Sequence, residues 1–267
     1  AATTAGDLTI GDVTGAGFGL TLDTGHVALA DISGGAVTSA GATLTIRDAG
    51  TATFTGAVNV GVGTVAITDA LTAVNFQGAI TAATLTVPAG TAAYNFSSTG
   101  TGGTITNAVT FANTGTLTLG QAAGTQTYNG GLTATANSGR TVLGTINSSD
   151  DAMTFGTITL GAATTLDTQA ATTAGDLTIG DVTGAGFDLT LDTAHVAGAN
   201  IVGTSVAGVG TFTIRDVGTA TFSSTIGATT VTLTDGLTLI DLQGAITATT
   251  LNVPVTVDAN VNLTGTG

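Results

Sequence analysis

TTAGDLTIGDVTGAGFGLTLDTGHVA, running from Thr3 to Ala28, returns downstream as TTAGDLTIGDVTGAGFDLTLDTAHVA from Thr172 to Ala197, with 24 of 26 positions identical. Self-similarity at a fixed period is the signature of a repeat architecture. The copy continues past the quoted block with small slips in its offset. TIRDAGTATF from Thr45 returns as TIRDVGTATF from Thr213, and FQGAITAATLTVP from Phe76 returns as LQGAITATTLNVP from Leu242. A one-residue slip inside a strand would turn its buried face outward, so slips that leave both flanks intact belong to turns. Each long unit is therefore read as several strands joined by tolerant turns. Residues 1–169 form the first unit and 170–267 a partial second one, in one continuous rod without a linker. Ala1-Ala2 matches Ala170-Ala171, which reads as an excerpt of a longer array.

Composition narrows the fold class. Thr makes up roughly a quarter of the chain, Gly contributes 41 residues, and Lys, Glu, Cys and Trp are absent. Thr, Val and Ile favour strands, and few segments carry the straight-chain residues that helices use. The chain is expected to be all-β. Aromatic residues are only 4%, too few for a wide core but enough for a narrow one repeated along an axis. Disorder fails as an alternative, because apolar residues recur at short regular intervals and the charged fraction is 7%.

The net charge of -14 arises from 17 Asp against Arg47, Arg140 and Arg215. Such a surface repels phosphate backbones, so no nucleic-acid partner is expected. No apolar run has the length of a transmembrane segment, and two Tyr without Trp cannot supply the aromatic girdles of a membrane barrel.

Within the long unit a shorter rhythm appears. Leu8 to Ile10, Leu20 to Leu22, Leu44 to Ile46, Val65 to Ile67 and Leu85 to Val87 each alternate an apolar residue with Thr or Ala. Residues i and i+2 of a strand share a face, so Leu8 and Ile10 point one way and Thr9 the other. Strands spaced about ten residues apart fit a sandwich, a meander barrel or a solenoid. Only the solenoid can be extended by copying itself, because each coil stacks on its neighbours alone. Two short strands and two turns give a coil of roughly 20 residues, and hence about eight coils per long unit.

NFQGAITAATLTV, from Asn75 to Val87, with Gly-x-Ile between two alternating strands, resembles the repeats of bacterial exported β-solenoids, including filamentous-haemagglutinin-like adhesins and autotransporter passenger domains. The resemblance implies a right-handed parallel β-helix and a giant secreted parent at the cell surface. It also implies a structural or adhesive role, with copies of the chain itself and cell-surface glycans as partners. It brings no translocator barrel, capping module or secretion-signal domain with it.

The chemistry-bearing residues are few. Asp7 and Asp12 recur as Asp176 and Asp181, each beside Gly, and Asp150-Asp151 is the densest acidic pair. Carboxylates at stacked turns can converge on calcium, and these six are the candidate ligands. The competing account is that each Asp hydrogen-bonds its own turn. His26 and His195, the only histidines, are repeat equivalents. With one His per unit and no defined nucleophile, neither a metal cluster nor a catalytic triad is expected. Without Lys or Glu, the base of a polysaccharide lyase and the paired acids of a hydrolase are also hard to assemble. The chain is read as no enzyme and as needing no cofactor. Thr-x-Thr pairs such as Thr84/Thr86, Thr211/Thr213 and Thr230/Thr232 carry a rival reading, ice binding. That reading requires the pair on every coil of one flat face.

Overall fold

The computed structural model describes residues 6–27, 29–172, 175–254 and 259–265. Among them the chain is all-β, without a helix, and its parallel strands stack as a β-solenoid of about 12 turns. No helix among the described residues is long and apolar enough to cross a membrane.

One coil contains three strands, one more than the sequence suggests. Leu8–Ile10 forms a first wall, Val13–Thr14 a second and Leu20–Asp23 a third. The next coil repeats the order, pairing Leu8 with Ile32, Val13 with Val37 and Leu20 with Leu44. Ile32 in turn pairs with Ala52, and Ala52 with Val74. The coil is thus somewhat longer than the strand rhythm alone implies. The extra wall went unseen because a two-residue strand flanked by Gly11-Asp12 and Gly15 has the composition of a turn.

The third wall also sets how the long repeat maps onto coils. From Leu8–Ile10 to Ile158–Asp167 there are 21 strands among the described residues. Two of them, Gly139–Asn147 and Ile158–Asp167, pass a register shift and each serve two walls. Hence 23 wall segments precede Leu177–Ile179, the copy of Leu8–Ile10. At three walls per coil, the repeat holds seven coils and two further walls, in keeping with the expected number of about eight but not a whole number of coils.

The chain divides into two compact units. The first comprises residues 1–120, 124–128 and 134–140, and the second residues 121–123, 129–133 and 141–267. The end of the first sequence repeat, at residue 169, falls inside the second unit.

In the first unit, alternation fills the interior as expected: Leu44 and Ile46 are buried while Thr43 and Arg47 face outward. The filling is aromatic. Phe54, Phe76, Phe96, Phe111 and Tyr128 form a ladder with successive ring centroids 5.3, 6.0, 5.4 and 5.9 Å apart, within the range in which ring pairs attract. Gly34 pairs with Phe54 in register, and a Cβ added at Gly34 would lie 2.7 Å from the Phe54 ring. Glycine at that strand position makes room for the ring.

The second unit is mainly aliphatic inside. Met153, Leu177, Ile201, Ala220, Ile240 and Val261 follow one another in register along one wall. Phe212 and Phe222 make an edge-to-face pair at 5.2 Å. Gly203 repeats the role of Gly34 beneath Phe222.

Candidate metal centre

The corner that follows the third wall gathers the titratable groups. In the first unit the walls Leu20–Asp23, Thr43–Arg47 and Thr64–Ile67 lie in register, with Asp23 beside Arg47. The Arg47 Nε donates to Asp23 Oδ2 at 2.8 Å. The guanidinium, helped by the Gly25 amide, holds the Asp23 carboxyl below the usual carboxylate range. Asp23-Thr24-Gly25 is thus a built corner. Thr24 Oγ1 donates to the carbonyls of Ala30 and Asp48, at 2.9 and 3.0 Å.

His26 and Asp48 each turn the chain with a left-handed backbone, at φ of 62° and 54°, a region in which His and Asp are among the enriched non-glycine residues. The His26 amide donates to the Asp48 carbonyl at 3.0 Å, fixing one corner over the next. His26 Nδ1 then lies 3.5 Å from Asp48 Oδ1 and 3.4 Å from Asp69 Oδ2, although the three residues belong to three successive coils. Asp69 is held from behind: its two oxygens accept from the amide and hydroxyl of Thr91 at 3.0 and 2.6 Å. Burial pushes its carboxyl up, but the Thr91 hydrogen bonds outweigh that and leave it below the usual range.

The second unit rebuilds the corner. His195 and Asp216 have φ of 60° and 50°, the His195 amide donates to the Asp216 carbonyl at 2.7 Å, and His195 Nδ1 lies 3.3 Å from Asp235 Oδ2. Arg215 pairs with Asp192, whose side chain is buried. The electrostatics differ from the first corner. Burial, reinforced by the charge of Asp192, pushes Asp216 above the usual carboxylate range, and burial does the same to Asp167.

Among the described residues, the groups of three metal-ligating side chains are His26 with Asp48 and Asp69, and His195 with Asp216 and Asp235. The atoms each group offers lie within 4.8 Å of one another. Sequence reasoning missed both because it sought convergence among carboxylates alone and set aside a single His per unit, without pairing it with the Asp one and two coils onward. The available signal was spacing: the interval from His26 to Asp48, and again from Asp48 to Asp69, is the length of one coil.

The acidic candidates named from sequence sit elsewhere. Asp7 Oδ1 accepts from the Asp31 amide, Asp12 Oδ1 from the Ala36 amide and Asp176 Oδ1 from the Asn200 amide, each one coil onward. Asp181 Oδ1 accepts from the Ser205 hydroxyl, and Asp150 from the amides of Ala171 and Thr172. These carboxylates tie one coil to the next instead of closing their own turns. Asp151 is exposed beside Asp150. Thr stacks on Thr through Thr43, Thr64 and Thr84, but the neighbouring rank is interrupted at Ala66. Thr211, Thr230 and Thr250 stack likewise, beside a rank that ends on Asn252.

Compared with known protein families, curated proteins and solved structures, the chain matches none.

Proposed function

We propose that this chain is a non-enzymatic structural and adhesive segment of a large extracellular surface protein, serving as filament, stalk or envelope layer. The observation that carries the reading is the near-identical recurrence of the block from Thr3 to Ala28 at Thr172 to Ala197. The block lies within a fold whose coils bury their apolar faces on one another. Each coil adds a fixed length, and duplication of a block adds several at once without rebuilding a core. A part that can be multiplied in this way suits a length-setting role. The outward rows of Thr offer hydroxyls to cell-surface glycans, and the backbone edges of a terminal coil are templates for a further coil, in a second copy of the chain.

Length is the decisive measurement. At about 4.8 Å per coil, a repeat of seven coils and two walls lengthens the parent by about 37 Å. Electron microscopy of parents engineered with one, two and three copies should show rods growing by that increment. Compact particles of unchanged length would overturn the reading. Turnover of acidic or neutral polysaccharide by the purified chain would replace it with an enzyme, and thermal hysteresis would replace it with ice binding.

A further inference from the structure

We infer that each long repeat carries a divalent transition-metal site, formed by His26, Asp48 and Asp69 in the first copy and by His195, Asp216 and Asp235 in the second. Three observations lead there. The first is distance. Asp216 apart, whose oxygen lies within 4.8 Å of the other two donors, the Nδ1-to-oxygen separations of 3.4 and 3.5 Å in the first corner and 3.3 Å in the second exceed the roughly 2.7–3.2 Å of a hydrogen bond with nitrogen as donor. They match the edge of a tetrahedron around zinc, which for bonds of about 2.0–2.1 Å is about 3.3–3.4 Å.

The second observation is charge. In the first corner two carboxylates face a single imidazole nitrogen, and the nearest cation is already engaged. Arg47 bonds Asp23 and stands 3.9 Å from Asp48. In the second corner Arg215 bonds Asp192 and stands 3.9 Å from Asp216. A bound dication would neutralise the two carboxylates of each corner.

The third is recurrence in altered surroundings. Gly25 is replaced by Ala194 and Ala70 by Gly236, and both sequence intervals between the donors are shorter in the second copy. The three donors nevertheless meet again. The chemistry of the set selects the ion. One imidazole nitrogen with two carboxylates suits zinc and its neighbours, whereas calcium takes oxygen ligands alone. Because the donors come from three successive coils, the ion would pin those coils together, and binding to the native state alone stabilises it by mass action.

The test uses the whole chain after chelation. Titration with zinc chloride in a calorimeter should give two equivalents, and cobalt(II) should give the absorption bands of a tetrahedral nitrogen and oxygen site. His26→Asn and His195→Asn, which keep a residue at ease in the left-handed region, should each remove one equivalent, and the double variant should remove both. If either fails to fold, Asp48→Asn or Asp216→Asn, on partly exposed side chains, takes its place. Zinc should also slow amide exchange in residues 20–27 and 43–69 of the parent chain and have no such effect in the double variant. The proposal is overturned by absence of zinc binding, by two equivalents persisting in the double variant, or by displacement of zinc by equimolar calcium.

Discussion

The stretches Leu8–Asp23 and Leu177–Asp192 share almost the same residues, yet they live in different surroundings. Leu177, Ile179 and Leu189 are buried, while their counterparts Leu8, Ile10 and Leu20 are only partly so, and Leu22 and Leu191 are buried alike. Leu177 is stacked between Met153 and Ile201, whereas Leu8 stacks on Ile32. How deeply the same residues are buried therefore depends on the coils stacked on either side of them. In a fold of stacked coils the apolar contribution belongs to the interface between coils.

Truncation of the paired leucines should expose this most strongly. Leu177→Ala opens a hole against two neighbouring coils and should cost about 2–5 kcal/mol, the range for a buried leucine. Leu8→Ala, in a strand stacked on Ile32, should cost about 1 kcal/mol in this chain at about 25 cal/mol per Å², and should approach the Leu177 value in a parent in which a further coil covers it. Because stacked coils can open locally, the reading should be native-state amide exchange at the two strands. Equal losses at both would contradict the dependence on neighbours.

The glycines beneath the stacked rings give a smaller contrast. A Cβ at Gly203 would press closer on the Phe222 ring than a Cβ at Gly34 would on Phe54. Overpacking of this kind costs about 1–3 kcal/mol. Gly203→Ala should fall at the upper end and Gly34→Ala below it, in the same exchange experiment. Tolerance of alanine at both would mean that the rings can swing aside and do not define the interior.

These contrasts also show what was legible before the structure. The alternation of Leu8, Thr9 and Ile10 revealed the strand, its buried face and, with the long repeat, the solenoid. The second wall was hidden because Val13–Thr14 is too short to show a period. For that reason the mismatch between repeat and coil was hidden as well. Asp7 and Asp12 were legible as backbone-bonding residues, but their partners, Asp31 and Ala36, are one coil away. The same distance concealed the His and Asp corners. Local sequence shows what a residue can do, and only the coil length shows whom it meets.

The two corners supply the most delicate comparison, because burial and partnering act on their carboxylates in opposite directions. In the first, Asp23 is held below the usual range by Arg47, and Asp69, despite burial, by Thr91. A carboxylate with a depressed native pKa binds fewer protons than in the unfolded chain. Its stabilisation is therefore present above the ordinary carboxylate range and is lost as pH falls through the native value. In the second corner, burial raises Asp167 and Asp216, with Asp192 adding to the effect. There the native state holds the proton more tightly, so stability increases as pH falls from above the raised values toward the ordinary range. Acidification in the presence of a chelator should first strengthen residues 189–216 and then, at lower pH, weaken residues 20–69. Carboxyl-carbon NMR titration should place Asp167 and Asp216 above Asp23 and Asp69. Should all four titrate together, the crowding of Asp167, Asp192 and Asp216 around Arg215 would carry no electrostatic cost, and the two corners would be alike in charge as well as in sequence.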